Sequence, residues 1–75
     1  MERNQLAKRI RAFRKLKGYT QIQFAERLNV SIGILGAIER GVRKPDERLL
    51  RNMAEVLRIS YEELACPKKE AAKDA

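Results

Sequence analysis

Leu6, Ile10, Phe13 and Leu16 recur at spacings of four, three and three, which lays them along one face of a helix. Gly18 stands where such a helix stops, and Thr20 opens the next one. Thr20-x-x-Gln23 has the spacing of a capping box, and Tyr19 and Phe24 flank it as an apolar staple. Phe24, Ala25 and Leu28 form the inner face of this second, short helix. Ser31 repeats the arrangement as an N-cap, with Val30 and Leu35 as its staple. Leu35 and Ile38 then point inward, and Gly41 ends the third helix. Pro45-Asp46 starts a fourth, with Leu50, Met53, Ala54 and Leu57 inside. Ser60-x-x-Glu63 caps a fifth, with Ile59 stapling to Leu64. No strand alternation appears. The pattern predicts an all-α fold of five helices near residues 5–17, 21–28, 32–39, 46–57 and 61–65, with the inward positions and Val30 as the core. Residues 1–66 are expected to form one domain. Pro67 ends regular order, and the Lys/Ala/Glu-rich stretch 67–75 is expected to be a disordered tail.

Length allows little more. A chain of 75 residues buries a single thin core and has no room for a deep substrate cavity. Histidine is absent, which removes the commonest general base and metal ligand. One cysteine, Cys66, permits neither an intramolecular disulfide nor a zinc site of the usual Cys/His kind. No nucleophile–base pair and no ligand cluster is visible, so neither an enzyme nor a cofactor is expected. The longest apolar run, Ile32 to Ile38, is interrupted by glycines and falls far short of a membrane span. No apolar stretch follows Met1-Glu2-Arg3-Asn4, so no signal peptide is expected, and a cytoplasmic location is.

The formal charge is +7, and its distribution says more than its sum. Residues 1–19 hold seven basic groups against Glu2, a net of +6; residues 20–65 balance seven against seven. An N-terminal excess of this kind favours a polyanion as partner. Charge alone leaves a solvated helix face equally open. A basic amphipathic helix is also a membrane-surface pattern, but the domain needs that apolar stripe to complete its only core.

Gln21 to Ile38 carries the sharpest signal. Two short helices joined by a few residues, the first with a small residue at its fifth position, describe a helix-turn-helix. Ala25 must be small because the following helix crosses over it. Asn29 falls where the chain turns in a left-handed conformation, which glycine and asparagine tolerate best. Phe24, Leu28, Val30, Leu35 and Ile38 lock the two helices together.

On these residues the chain resembles the phage-repressor and Cro-like, or Xre-type, helix-turn-helix domains. The matching stretches are Ile10 to Arg14, Gly18 to Gln21, Phe24 to Ser31, Ile38 to Gly41, and Pro45 with Leu50 to Ser60, roughly residues 5–65 in all. The resemblance implies a five-helix domain that binds double-stranded DNA, commonly as a homodimer on a two-fold site. It also implies that the third helix lies in the major groove and the second across the backbone. It assigns Gln21 and Ser31 to phosphate contacts, and places Arg40, Arg43 and Lys44 in or beside the loop that grips the backbone. It pairs Arg14 with Glu39 in a salt bridge joining helix one to the end of helix three, a structural role. For the loop cations the bland alternative is an ordinary solvated loop.

The chain departs from the family on the face that should read bases. Relatives carry polar side chains there; the matching positions here are Ile32, Gly33, Gly36 and Ala37, with Ile34 beside them. None offers the paired hydrogen bonds by which arginine reads guanine or glutamine reads adenine. Two readings follow. In one, the chain regulates transcription from DNA and selects its site by thymine methyls, backbone contacts and DNA shape. In the other, the smooth face of the third helix docks a protein partner. Tyr61, Leu64 and Ala65 suit either a dimer contact or a lid on the core, and Cys66 either a surface or an interface thiol.

Overall fold

The computed structural model describes residues 2–65, and side chains from Gln5 onward. Among them are five helices and no strand: α1 (Glu2–Leu16), α2 (Gln21–Leu28), α3 (Ile32–Glu39), α4 (Glu47–Leu57) and α5 (Tyr61–Ala65). The expected tail 67–75 and Cys66 lie outside the described residues.

Local chemistry sets most boundaries. At α2, Thr20 Oγ1 accepts from the Gln23 backbone N–H at 3.0 Å while Gln23 Oε1 accepts from the Thr20 N–H at 2.9 Å. The Tyr19 and Phe24 rings stack with centroids 5.8 Å apart. Asp46 Oδ1 accepts from the Leu49 N–H at 2.8 Å and starts α4. Ser60 Oγ accepts from the Glu63 N–H at 2.9 Å, and Glu63 Oε1 accepts from the Ser60 N–H at 3.3 Å, so α5 opens with the same reciprocal box. Each pair satisfies donors that a helix start would otherwise leave without a partner. Gly18 and Gly41, at φ +85° and +79°, turn the chain out of α1 and α3. Arg58 ends α4 in the left-handed region at φ 61°, a position that nothing in its residue type foretells.

The core joins all five helices. α3 packs on α2 and α1, α4 packs on α2 and α5, and α5 returns to α1. Phe24, Ile10, Leu35, Ile38, Met53, Leu57 and Leu64 are fully buried. Each such side chain contributes about 1.5–3 kcal/mol by leaving water. Leu6, Phe13 and Val30 pack half-buried at the margin. Leu64 lies in the core, and Tyr61 and Ala65 pack against it.

One core expectation is wrong. Leu16 is 74% exposed. At about 100° of turn per residue it stands about 120° around the helix from Ile10. The inner stripe of α1 runs instead through Ala7, Ile10 and Arg14, all buried.

Candidate nucleic-acid interface

The α2–α3 unit depends on a three-residue turn, Asn29 to Ser31. Asn29 sits at φ 63°, ψ 39°, in the left-handed region. Its N–H donates to the Glu26 carbonyl at 3.1 Å, and the Val30 N–H donates to the Ala25 carbonyl at 3.0 Å. These bonds close the end of α2 and swing the chain sideways. Ser31 Oγ then accepts from the Ile34 N–H at 3.1 Å and starts α3 in its new direction. Ala25, 3% exposed, is part of the core cluster that also holds Phe24 and Leu28 of α2 and Leu35 and Ile38 of α3.

A buried polar network fixes the start of α2 against the end of α3. Arg14 Nε donates to Glu39 Oε2 at 2.7 Å and Arg14 Nη2 to Glu39 Oε1 at 3.1 Å. Arg14 Nη1 donates to the Tyr19 carbonyl at 2.9 Å. Gln21 Nε2 donates to Glu39 Oε1 at 3.1 Å. The side chains of Arg14 and Glu39 are 9% and 3% exposed, so this is an interior pair with its polar atoms satisfied. Nothing in the residue pattern pointed to the Gln21–Glu39 bond, because the partners are 18 residues apart.

Gln21, half-buried, presents one edge of its amide to Glu39, and its Nε2 carries a second N–H beyond that bond. The exposed Ser31 hydroxyl accepts from the backbone and retains its own proton to donate. Arg40 is exposed at the end of α3, with its Nη1 above Gly36. Arg43 and Lys44 are exposed on the loop that follows. That loop is held by two bonds, from the Val42 and Arg43 N–H groups to the Ala37 carbonyl at 3.0 and 3.2 Å, and by the buried Pro45. Gln21 and Arg40 thus lie together, while Arg43 and Lys44 line a separate groove over Leu28, Val30 and Ile34.

The outer face of α3 needs correction. Ile32 and Gly33 are exposed and Ala37 is half-buried, but Gly36 is buried. A methyl group at Gly36 would stand 3.3 Å from Arg40 Nη1 and 4.0 Å from Gln21 Nε2, so those two side chains cover the position. Ile34 leans onto the core. The continuous smooth surface from Ile32 to Ala37 expected from the sequence is therefore broken, and its apolar part shrinks to Ile32, Gly33 and Ala37. Arg11 was also missed: it lines one depression with Gln21, Gly36 and Arg40. The available signal was its place three residues before Arg14, on the same side of α1.

Among the described residues no group of three or more His, Cys, Asp or Glu is placed to hold a metal ion, and no helix is long and apolar enough to cross a membrane.

The helix-turn-helix family pattern matches residues 10–64. The chain belongs to that family. It is 55% identical over 69 residues to YazB of Bacillus subtilis strain 168, described as an uncharacterized HTH-type transcriptional regulator; the match covers 92% of this chain and all of YazB. Two Mycobacterium tuberculosis proteins, also described as uncharacterized HTH-type transcriptional regulators, are 42% identical over 55 residues, or 73% of this chain. The match spans only 39% of their length. The crystal structure of the clp gene regulator ClgR from Corynebacterium glutamicum superposes with a TM-score of 0.83 at 30% identity, covering 99% of this chain and 84% of that one. A second ClgR crystal structure gives a TM-score of 0.82 at 32% identity, covering 87% and 83%.

Proposed function

We propose that this chain is a DNA-binding transcriptional regulator that lays α3 in the major groove of duplex DNA and α2 across the backbone, as a homodimer on a two-fold site. The observation that carries the reading is the α2–α3 unit itself: a left-handed Asn29 turn, a small buried Ala25, and Gln21 tied to the end of α3 through Glu39. That geometry supports a rigid pair of helices presented as one body. Gln21, Ser31, Arg40, Arg43 and Lys44 supply donors and charge to phosphates, and Ile32, Gly33 and Ala37 face the base edges. The regulator names carried by the relatives point the same way. A cytoplasmic site of action is part of this reading.

With no bidentate reader on α3, specificity rests on thymine methyls and DNA shape. The preference for a specific site over random DNA should lie toward the low end of the ~10³–10⁷ range. The protein-partner reading loses support because Gly36 is covered by Arg40 and Gln21. Selection of bound duplexes from a random pool, followed by sequencing, tests the proposal. A two-fold consensus enriched over input supports it. A pool indistinguishable from input, with no retention on duplex at low salt, overturns it.

A further inference from the structure

Several cations of this chain are engaged inside the fold. Arg9 Nε donates to the Leu64 carbonyl at 2.7 Å and ties the end of α5 to α1. Arg14 is bound to Glu39, Arg51 is bound to Glu47 and lies over the Tyr61 ring, and Arg27 lies over the Tyr19 ring. Arg43, Lys44 and Arg48 differ. All three are exposed, and the ion pairs among the described residues, Arg14–Glu39 and Arg51–Glu47, include none of them. They line one groove of about 390 Å³ between the α2–α3 turn and the start of α4.

We propose that this groove binds a small organic anion with an apolar body, and that its occupant competes with duplex DNA. The first half stands on the groove alone. The second rests on the DNA-binding reading above, in which Arg43 and Lys44 hold backbone phosphates. Three observations carry the proposal. The apolar lining comes from separate segments: Val30 in the turn, Ile34 on α3 and Leu49 on α4, each only half-buried, with the buried Leu28 among them. The rim is cationic. Among the described residues its lining holds one carboxylate, Asp46, whose Oδ1 already accepts the Leu49 N–H as the cap of α4, so the groove keeps a net charge of +2. The third observation is size. Small-molecule sites run from about 300 to 1,000 Å³, whereas a stable protein contact needs about 800 Å² from each partner, so a groove of this volume suits the former. A carboxylate on a hydrocarbon body meets both chemistries: the body covers the apolar lining, and the carboxylate takes donors from the guanidinium forks of the rim. Ile34 and Gly36 stand about 200° apart around α3, so the groove and the Gln21–Arg40 side lie on opposite flanks of that helix.

The test uses the full chain and decanoate, kept below its micelle concentration and followed by two-dimensional NMR. Decanoate should give saturable shifts centred on Val30, Ile34 and Leu49. Acetate, which has the charge alone, and decanol, which has the body alone, should each bind far more weakly. Arg48→Ala should weaken decanoate binding about two- to fivefold, the range of an exposed charge pair. Asn52→Glu places a carboxylate four residues after Arg48 on the same helix face, where it competes for that guanidinium, and should weaken binding at least as much. Lys8→Ala removes a cation outside the groove and should leave decanoate binding unchanged. Arg48, Asn52 and Lys8 are exposed, and the dispersion of the amide spectrum checks that each variant is folded. Shifts spread over α1 as much as over the groove would overturn the site. So would acetate or decanol matching decanoate, or Asn52→Glu binding decanoate as tightly as the unaltered chain. At constant ionic strength decanoate should also weaken duplex binding, and do so less in Asn52→Glu. Duplex binding unmoved at saturating decanoate overturns the competition. A chain that takes decanoate into the groove but binds no duplex at low salt supports the site and overturns the DNA-binding reading.

Discussion

Arg14 holds both carboxylate oxygens of Glu39, Nε to Oε2 at 2.7 Å and Nη2 to Oε1 at 3.1 Å, across 25 residues of chain. Removing one partner of a buried pair strands the other charge, which costs about 3–5 kcal/mol. Glu39→Ala is therefore expected to destabilise strongly in a urea melt. Replacing both, Arg14→Met with Glu39→Leu, should recover most of that stability. It should not recover DNA affinity, because Gln21 has lost the oxygen that orients its amide. Full recovery of both would show that Glu39 has no positioning role.

The burial of Ala25 sets a second expectation. Ala25, on α2, is buried in the core, and extra methylenes there force the packing apart at about 1–3 kcal/mol. Ala12 is exposed on α1 and tolerates the same enlargement. In a domain of this size each kcal/mol moves the melting temperature by about 4–8 °C. Ala25→Leu should therefore melt well below Ala12→Leu. Equal melting temperatures would contradict close packing at Ala25.

Asn29 and Arg58 share a conformation but not a residue type suited to it. Both occupy the left-handed region, at φ 63° and 61°. That region costs a side chain with a Cβ roughly 1–2 kcal/mol, which asparagine partly avoids through its short polar group. Asn29→Val should destabilise by at least that amount. Arg58→Gly should raise stability by about 1 kcal/mol in thermal melts, and Asn29→Gly by less. The ranking, not the absolute values, is the measurement that decides.

Salt dependence separates the phosphate donors by type. Gln21→Ala removes a neutral donor and should weaken duplex binding with little change in slope. Arg43→Ala or Lys44→Ala should weaken binding and flatten the slope by about 0.9 each. Glutamine placed at the exposed Gly33 should shift sequence preference in a selection more than it shifts overall affinity. A slope unmoved by both loop variants would remove Arg43 and Lys44 from the backbone contact.

The helix ends were legible in the sequence because their chemistry is local. A capping box spans three residues, and the rise of a helix fixes what those residues reach, so Thr20 with Gln23 and Ser60 with Glu63 could be read directly. The interior was legible wherever its stripe was apolar. It failed at Leu16, because the buried stripe of α1 passes into Arg14, and an arginine is admitted to a core only by a partner far along the chain. Gly36 failed for a related reason. Its side of α3 is closed by the long side chain of Arg40 folding back and by Gln21 from another helix, and neither course is written in the spacing. The Gln21–Glu39 bond and the place of Arg11 belong to the same class. Both exist only once α1, α2 and α3 have met.

The bond from Arg9 to the Leu64 carbonyl joins residues 55 apart, one on the first helix and one on the last. It makes the domain a closed ring of helices instead of a string with two free ends. A string can fray from either tip while its middle persists, but a ring opens only by breaking its clasp. Loss of α5 would therefore be felt at α1 as well as at α4. Amide exchange on α1 and α5 should then follow the global unfolding equilibrium, with neither helix releasing its protons early.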